Sequence, residues 1–429
     1  IKNNFNLFFF FKKIISRVKY SFKLFFSPIF YISNFFKIKY AENNNIILNL
    51  NLPISELEYK KLFKKLNQTF FIGHHIPDHN IDKNNVNYEI RKKSIKIDSK
   101  DKDNFLILVL KMTLMYMPIE YLEEYKKLSN HYKYYLPKNY IKLALIRCSV
   151  EYSFKMRFFT AKLSEKGTKI LSCQEGGGLG LRKYNQLDEK MYLIGCDNFL
   201  TWGWQPKSLK AIRFFVTKTF WVKNYIYNPQ GNIVLVGGSC RRYHYSVYEG
   251  HLPSFNKKHI ENNINFINNL NNNAFNKLIY RFHVQMGYCE IDKVLNKIKN
   301  LKISTRSKNH YYYYNLLYNS RLVICTSDYT ANLQSLMINH PTIWFWNPNY
   351  FVPRDSVKVF YDDLHEAGIL YYCPIKCSKK VNEIYKDPMK WWMTDKVQKA
   401  KNNFIINVCN LEKNIVNELA NVIKSRFLS

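Results

Sequence analysis

An apolar segment that runs directly into a glycine-rich loop, residues 168–180, constrains the fold of this chain more than any other feature. Four of the fourteen glycines in the chain fall within positions 176–180. Glycine adopts backbone conformations that residues with a Cβ avoid, so the loop is expected to turn sharply. Such a loop at the carboxyl end of a strand lets a ligand approach the main chain and offers N–H groups to an anion. We therefore expect a ligand site at this loop.

Strand-like and helix-like segments alternate along the chain, and the pattern restarts after a turn at residues 228–231. The expected strands are 45–50, 70–73, 169–173, 233–236, 278–284, 322–325 and 342–345. The expected helices are 55–66, 103–116, 119–134, 152–166, 254–270, 290–299, 330–339, 357–366 and 378–387. This alternation predicts parallel sheets with helices on their faces. We predict an α/β protein of two Rossmann-like domains, residues 41–205 and 206–429, that face each other across a cleft.

The chain carries a large excess of positive charge: 65 Lys and Arg residues against 32 Asp and Glu residues give a formal net charge of +33. Such an excess attracts partners with negative charge, such as nucleic acid, anionic lipid or a phosphorylated substrate. Heavy use of Lys, Asn, Ile and Phe is also typical of AT-rich genomes, and we attribute most of the charge to that composition. Because no zinc finger, RNP-like motif or compact basic helix occurs, we expect no nucleic-acid partner.

Nine cysteines are scattered along the chain without a Cys-x-x-Cys pair. An odd number with this spacing is typical of free thiols in a reducing compartment, so we expect a cytoplasmic protein. Cys173 and Cys325 lie in apolar, strand-like segments and are expected in the core.

Residues 1–40 differ from the rest of the chain because aromatic side chains are interleaved there with Lys and Arg. The longest uncharged stretch, residues 24–36, has thirteen residues, whereas a helix needs about 20 to span a bilayer. One interpretation is a segment that lies in the headgroup layer of an anionic membrane. The other is a helical hairpin that packs on the adjacent domain with its lysines outward. Since the sequence begins with Ile1 rather than Met, it is also compatible with a start further upstream.

Several segments in a fixed order carry a family resemblance. They are residues 174–180 (Gln-Glu-Gly-Gly-Gly-Leu-Gly), 184–185 (Tyr-Asn), 199–204 (Phe-Leu-Thr-Trp-Gly-Trp), 320–326 (Ser-Arg-Leu-Val-Ile-Cys-Thr), 343–348 (Ile-Trp-Phe-Trp-Asn-Pro), 354–355 (Arg-Asp), 391–392 (Trp-Trp) and Gln398. In this combination the chain resembles a family of transferases from bacterial surface-polysaccharide gene clusters, of the O-antigen or lipopolysaccharide type. A GT-B glycosyltransferase-like fold is ascribed to that family. The resemblance covers roughly residues 105–410 and identifies a class better than a substrate.

The resemblance implies a transferase that moves a sugar from a nucleotide-activated donor to a carbohydrate or lipid-linked acceptor at the inner face of the membrane. It implies an acceptor domain at residues 41–205 and a nucleotide-donor domain at 206–429, with no cofactor and no tightly held metal ion. Residues 326–330 (Thr-Ser-Asp-Tyr-Thr) also resemble, more faintly, enzymes that transfer glycerol phosphate from CDP-glycerol. Polyol-phosphate transfer is therefore one alternative. A catalytically degenerate member that binds carbohydrate or scaffolds a complex is another.

Two positions depart from the family pattern. Glu175 stands where the family has His, and Gln334 stands where it usually has an acid. Both positions lie where catalysis or donor binding is expected, and they keep the degenerate alternative open.

The glycine-rich loop supplies the candidate acceptor site. Glu175 is the candidate general base, because a positioned carboxylate can take the proton of an acceptor hydroxyl. The alternative is a loop carboxylate that only accepts hydrogen bonds from nearby N–H groups. The neighbours expected to bind substrate are Gln174, Gly176, Gly177, Gly178 and Gly180.

The candidate donor site collects residues that follow the later strands: Gly238, Arg241, Arg281, Ser327, Asp328, Tyr329, Thr330, Gln334, Asn347 and Arg354. Residues 327–330 open a helix, where a phosphate would meet unpaired N–H groups and the positive end of the helix dipole. Ordinary N-capping by Ser327, Asp328 or Thr330 is the alternative. Arg241 can grip phosphate oxygens with two parallel hydrogen bonds, or be part of a solvated Arg pair.

Other conspicuous residues have structural interpretations. Four tryptophans are more typical of core or interdomain packing than of sugar stacking: Trp202, Trp204, Trp391 and Trp392. The His-rich segment at residues 74–79 lacks the spacing of a metal site and is expected to form a surface turn.

Overall fold

The structure is a computed structural model. It describes residues 47–50, 52, 54, 56–68, 70–72, 79–82, 84–92, 104–137, 140–147, 153–184, 186–205, 208–217, 225–238, 253–282, 293–294, 296–304, 312–410 and 414–428. The basic aromatic segment 1–40, most of the His-rich segment 74–79 and Arg241 lie outside the described residues.

Strands and helices alternate along most of the described chain. The strands are β1 (Ile47–Asn49), β2 (Phe70–Ile72), β3 (Leu143–Arg147), β4 (Lys169–Cys173), β5 (Asn198–Thr201), β6 (Ala211–Arg213), β7 (Asn232–Val236), β8 (Leu278–Arg281), β9 (Lys302–Ser304), β10 (Ser320–Cys325), β11 (Thr342–Phe345) and β12 (Leu370–Tyr371). The helices are α1 (Glu56–Lys65), α2 (Tyr88–Lys92), α3 (Asn104–Tyr116), α4 (Tyr125–Lys133), α5 (Phe154–Glu165), α6 (Gln186–Ile194), α7 (Pro253–Asn268), α8 (Asn272–Asn276), α9 (Tyr312–Tyr318), α10 (Thr330–Met337), α11 (Asp355–Glu366), α12 (Pro374–Ile384), α13 (Pro388–Trp392), α14 (Asp395–Phe404) and α15 (Ile415–Ile423).

The C-terminal sheet contains six parallel strands in the order β9-β8-β7-β10-β11-β12. Counted from β7, this is the strand order 3-2-1-4-5-6 of a Rossmann fold. The order reverses between β7 and β10, because the chain adds strands first on one side of β7 and then on the other. Ligands of such sheets bind at this switch point, outside the carboxyl ends of the strands. The topology therefore directs attention to the segments that follow β7 and β10.

The N-terminal sheet also has six strands, in the order β2-β1-β3-β4-β5-β6. Its described pairings are parallel. This order begins like the flavodoxin arrangement, with a switch point between β1 and β3. The prediction of an α/β fold with two parallel, Rossmann-like sheets is confirmed, whereas their arrangement across a cleft stays a prediction.

The chain divides into two compact units. Unit 1 is built mainly of Phe63–Ile170 and unit 2 mainly of Leu171–Asn421. The division passes through β4, so unit 2 holds both the glycine-rich loop and the C-terminal sheet. The domain boundaries at residues 41–205 and 206–429 stay a prediction.

Helices cover both faces of the C-terminal sheet. On one face, Leu235 and Ile324 belong to a buried apolar cluster with side chains of α7 and α12. On the other face, the ring of Trp344 contacts Phe404 of α14 and Tyr361 of α11. Successive residues of a strand point to opposite faces. Burial on both faces explains why β10 and β11 are almost continuously apolar.

The packing of cysteine and tryptophan agrees with the sequence analysis. Six described cysteines are free thiols: Cys173, Cys196, Cys325, Cys373, Cys377 and Cys409. The predicted core positions of Cys173 and Cys325 are confirmed, since both are buried. Three of the four conspicuous tryptophans are buried as well: Trp202, Trp204 and Trp392.

Candidate functional site

Gln174 fixes the first turn of the glycine-rich loop, directly after β4. Its side-chain nitrogen donates to the carbonyl oxygen of Gly176 at 2.7 Å. Its Oε1 accepts from the backbone N–H of Trp202 at 2.9 Å and from the indole N–H of Trp204 at 2.7 Å. The side chain is buried and both ends of its amide are engaged. These contacts give Gln174 a structural role, and the predicted contact with substrate stays a prediction.

The middle of the loop lies directly on the first turn of α10. The N–H of Gly177 donates to Oγ1 of Thr330 at 3.1 Å. A Cβ on Gly177 would lie 2.7 Å from the carbonyl carbon of Tyr329 and 2.9 Å from the nitrogen of Thr330. Only glycine fits at this distance from another stretch of main chain. The structure thus brings together, within unit 2, the two segments that the sequence analysis singled out.

The other three loop glycines differ in whether their positions would tolerate a side chain. Gly178 and Gly180 have φ angles of +87° and +76°, in the left-handed region that favours glycine. A Cβ on Gly180 would also lie 1.9 Å from the Trp204 ring. Gly176 is different, because the nearest atom to a Cβ there is Oγ1 of Thr330 at 4.0 Å. The fold therefore requires glycine at three loop positions and leaves room beside Gly176.

A buried ion pair ties the end of the loop to the segment before α10. Arg182 donates through Nη2 to the carbonyl oxygen of Asp328, and its Nε lies 3.6 Å from Oδ2 of the same residue. Asp328 also accepts from Asn332 at 3.3 Å and from the hydroxyl of Tyr361 at 3.1 Å. Burial and the Asp328 carboxylate raise the pKa of Tyr361 well above its ordinary value, so this hydroxyl stays a donor. These contacts give the Asp328 carboxylate a structural role in holding the loop, and its predicted contact with the donor stays a prediction.

Arg354 fastens the loop a second time. Its backbone N–H donates to the carbonyl oxygen of Leu181 at 2.8 Å, and its Nε donates to that of Arg182 at 3.0 Å. Its Nη2 forms an ion pair with Glu189 at 2.6 Å. The same Glu189 oxygen accepts from the N–H of Gly180 at 2.7 Å. The loop is therefore held from the segment after β11 as well as from α10.

No described side chain caps the N-terminus of α10. Tyr329 occupies the N-cap position in an extended conformation, with φ −130° and ψ −166°, and its side chain accepts no capping hydrogen bond. Among the described hydrogen bonds, none joins the side chain of Ser327, Asp328 or Thr330 to a backbone N–H of this first turn. An uncapped helix start leaves N–H groups and the positive end of the helix dipole for an anion.

The carboxyl ends of β7 and β8 lie at the same edge of the sheet as α10. The N–H of Gly237, next to Gly238, donates to the carbonyl oxygen of Arg281 at 3.0 Å. The guanidinium of Arg281 lies 4.8 Å from the ring centre of Tyr313, whose hydroxyl donates to the carbonyl oxygen of Ala331 at 3.1 Å. Through these contacts, Arg281 and the glycines after β7 are connected to the first turn of α10.

The last two predicted donor residues lie in well-defined local contacts. Gln334 is buried, and its Nε2 donates to the hydroxyl of Tyr314 at 2.6 Å. Asn347 follows β11 and closes a turn, because its Oδ1 accepts from the N–H of Asn349 at 2.9 Å. These contacts are structural, and a donor role for either residue stays a prediction.

Glu175 lies at an accessible part of the loop. Residues 175–177 are half-exposed, and so are residues 329–331 at the start of α10. Since Gly177 contacts Thr330, the two half-exposed segments adjoin. A carboxylate and an uncapped helix start therefore share one accessible edge of unit 2.

The sequence analysis missed three residues that build this site: Arg182, Glu189 and Tyr313. Arg182 carried a usable signal, since it is a basic side chain two positions after the last loop glycine. Glu189 and Tyr313 carried none, because each lies in a helix outside the loop motifs and no local pattern marks its contact.

The described residues contain neither a cluster suited to a metal ion nor a helix suited to spanning a membrane. Among them, no group of three or more His, Cys, Asp and Glu side chains could hold a metal ion. None of the described helices has the length and apolarity to cross a membrane.

Comparisons with known proteins place the chain in a family. No curated protein matches the sequence significantly. A crystal structure from Listeria monocytogenes, assigned as a UDP-N-acetylglucosamine 2-epimerase, aligns at 9% identity with a TM-score of 0.47, covering 90% of this chain and 97% of the other. A glycosyltransferase from Rickettsia africae ESF-5 aligns at 13% identity with a TM-score of 0.44, covering 90% and 99%. MurG from Acinetobacter baumannii aligns at 10% identity with a TM-score of 0.38, covering 89% and 100%.

A match to a protein family extends over nearly the whole chain. A model described as LIC12162 family transferase matches residues 3–423. This match confirms the transferase class that the resemblance implied. The chain belongs to the LIC12162 family of transferases.

Proposed function

We propose that this transferase moves a sugar from a nucleotide-activated donor to a carbohydrate acceptor. The observation that carries the proposal is the contact of the glycine-rich loop, through Gly177, with the uncapped start of α10. This contact lies at the carboxyl end of β10, next to the switch point of a Rossmann-type sheet, where nucleotides bind in such folds. The loop supplies a carboxylate and the helix start supplies an anion site, which are the two groups that sugar transfer from a nucleotide needs.

The donor diphosphate would bind at the first turn of α10. The N–H groups of an uncapped helix start and the helix dipole stabilise negative charge there. Arg281 adds a cationic side chain from the end of β8, and Gly238 allows close approach of the main chain after β7. Arg241, which follows in the sequence, is a further candidate for the phosphates. We assign the donor to residues 206–429 and the acceptor to residues 41–205, which include the loop.

The transfer step follows from this arrangement. The acceptor hydroxyl oxygen forms a bond to the anomeric carbon of the sugar, and the bond from that carbon to the phosphate oxygen breaks. The electron pair of the broken bond goes to the nucleotide diphosphate, whose added charge the start of α10 stabilises. The hydroxyl proton goes to the carboxylate of Glu175. Because the family has His at this position, Glu175 would perform the same proton transfer with a different group.

A substitution of Glu175 tests the general base. Glu175→Gln keeps the size of the side chain and removes its ability to accept a proton, so we expect turnover to fall by about 10²–10⁴-fold. The matched control is Glu366→Gln, which changes an exposed glutamate of α11. Circular dichroism and thermal unfolding show whether both variants fold. Full activity of Glu175→Gln would reject the assignment.

A ligand screen tests the donor class. A ligand that binds only the native state adds about 2.7 kcal/mol of stability at one hundred times its Kd, so the melting temperature rises. We expect nucleotide sugars to raise it. A shift with CDP-glycerol instead would favour polyol-phosphate transfer on the same site. No shift with any nucleotide would contradict both and favour a degenerate, carbohydrate-binding member.

We also propose that the protein works in the cytoplasm, at the inner face of the membrane, on precursors of surface polysaccharide. Support comes from the interleaved aromatic and basic side chains of residues 1–40, which suit an anionic lipid surface. Vesicle flotation of the full chain and of a variant without residues 1–40 tests this. Equal flotation of the two would reject a membrane role for the segment.

A further inference from the structure

Helix α3 of unit 1 presents a broad apolar face to the exterior. Its 13 residues include one charged side chain, Lys111, and none of them is buried. Its exposed large apolar side chains are Phe105, Leu106, Leu108, Val109, Met112, Met115 and Tyr116. Phe105 is 73% exposed and Tyr116 78%. A contiguous apolar patch of this kind marks an interaction surface.

Helical geometry gathers these side chains on one side. At about 100° per residue, the seven positions span an arc of roughly 180°. Ile107, Leu110 and Leu114 fall on the opposite side and are half-buried. The half-buried side of the helix therefore provides its apolar contacts with unit 1. The exposed arc on the other side can bury its apolar side chains only against a further apolar partner.

Buried contacts fix the C-terminal end of α3. Arg91 of α2 donates through Nη1 to the carbonyl oxygens of Met115 and Met117, each at 2.9 Å. Its Nε and Nη2 donate to the two carboxylate oxygens of Glu123 at 2.6 and 2.7 Å. The side chains of Arg91 and Glu123 are both buried. The apolar face therefore belongs to a helix that is anchored in unit 1.

The exposed charged side chains of α3 and of the following helix, α4, are all basic, which suits an anionic surface. Glu123 and Glu124 have buried side chains, whereas Lys111, Lys126 and Lys127 are exposed. The segment between α2 and α3, residues 93–103, has four basic side chains against three acidic ones and so adds one net positive charge. An apolar helix face with Lys beside it is the pattern of helices that lie on anionic membranes.

We propose that α3 lies in the headgroup layer of an anionic lipid bilayer, with its axis along the membrane plane. Its 13 residues make a helix about 20 Å long, which is too short to span the hydrocarbon core. A second copy of the chain fits less well, because a two-fold interface on this face would bring the exposed Lys111 of both copies, and their like charges, to one interface. This inference does not depend on the transfer reaction, and it names a surface distinct from residues 1–40.

Flotation of the full-length chain with vesicles tests the proposal. The vesicles contain phosphatidylcholine alone, or phosphatidylcholine and phosphatidylglycerol in equal parts. A triple variant, Phe105→Ser, Val109→Ser and Met112→Ser, is expected to lower the bound-to-free ratio on the anionic vesicles at least tenfold. The control variant carries Leu209→Ser, Ile226→Ser and Ile406→Ser, which change apolar side chains of unit 2 that are on average more exposed. It is expected to bind as the unchanged protein does.

A second variant tests the charge without touching the apolar face. Lys111→Gln, Lys126→Gln and Lys127→Gln are expected to weaken binding to the anionic vesicles several-fold and to leave binding to neutral vesicles unchanged. Unchanged flotation of the triple Ser variant on anionic vesicles would overturn the proposal. It would also be overturned if sedimentation without lipid showed that the same variant converts a dimer to a monomer, because α3 would then face a second copy.

Discussion

Replacing Gly177 by Ala tests the contact on which the site is built. The added methyl group would lie 2.7 Å from the carbonyl carbon and 2.9 Å from the carbonyl oxygen of Tyr329. These are main-chain atoms, so they cannot turn aside as the end of a long side chain can. The loop must instead lift from α10, and the hydrogen bond from Gly177 to Oγ1 of Thr330, now 3.1 Å, is lost.

The two effects set the expected magnitude for Gly177→Ala. Overpacking of this kind costs about 1–3 kcal/mol. The lost hydrogen bond adds about 0.5–1.5 kcal/mol. We therefore expect the free energy of unfolding to fall by roughly 2–4 kcal/mol, since the two contributions partly overlap. At about 2–4 °C per kcal/mol for a unit of this size, the melting temperature falls by roughly 4–16 °C.

Gly176→Ala, one position earlier, is the matched control. The nearest atom to its added methyl group is 4.0 Å away, so the free energy of unfolding should change by about 0.5 kcal/mol or less. Urea unfolding, followed by tryptophan fluorescence, measures both variants against the unchanged protein. Equal stabilities of the two variants would show that the loop does not rest on α10, and the reasoning would fail.

Three further predictions concern buried polar groups. Asp328→Ala leaves Arg182 buried without its carboxylate, so urea unfolding should show a loss of about 3–5 kcal/mol; a loss below about 1 kcal/mol would mean that the pair is solvated. Thr330→Val removes the acceptor of the Gly177 N–H at nearly constant volume and should cost about 1–2 kcal/mol, whereas Thr330→Ser keeps the bond; equal stabilities of these two variants would contradict it. Burial lowers the pKa of His340 to about 3. The unfolded chain therefore binds this proton first, and below about pH 6.5 the free energy of unfolding should fall by roughly 1.4 kcal/mol per pH unit for this group. Urea unfolding between pH 7 and 5 should show a flatter dependence in His340→Gln, and an unchanged slope would refute the assignment.

Local sequence patterns predicted some strands well and missed others. The predicted limits of β4 and β11, residues 169–173 and 342–345, are the observed ones. β4 follows Gly167 and ends before the polar Gln174, and β11 begins directly after Pro341, so local residues mark these boundaries. Five strands were missed: β3, β5, β6, β9 and β12. The Leu-Ala-Leu-Ile sequence of β3 suits a helix equally well, and β6 has three residues, which are too few to show a period. Pairing with neighbouring strands decides their structure.

The candidate site was predicted only in part, for a related reason. Glycine positions are visible in the sequence because the backbone demands them locally, and the loop after β4 was therefore found. The contacts of the loop, in contrast, join residues that are far apart in the sequence. Gly177 meets Thr330 across 153 positions, and Arg182 meets Asp328 across 146. No spacing rule connects such pairs, so the ion pair between Arg182 and Asp328 emerges only from the fold, even though the position of Arg182 after the loop was visible in the sequence.

Because several cysteines of unit 2 are buried, their reaction with a thiol reagent can report on local unfolding of that unit. Cys325, Cys377 and Cys409 are buried, and burial raises the pKa of each thiol above its ordinary value. The thiolate is the form that attacks an alkylating reagent. Burial keeps the reagent away from these three sulfurs, and the raised pKa keeps them protonated, as long as unit 2 stays folded. Each becomes reactive only when its surroundings separate from it. The rate at which they are labelled by a maleimide thus measures how often the interior of unit 2 is exposed to solvent, without the introduction of any additional cysteine.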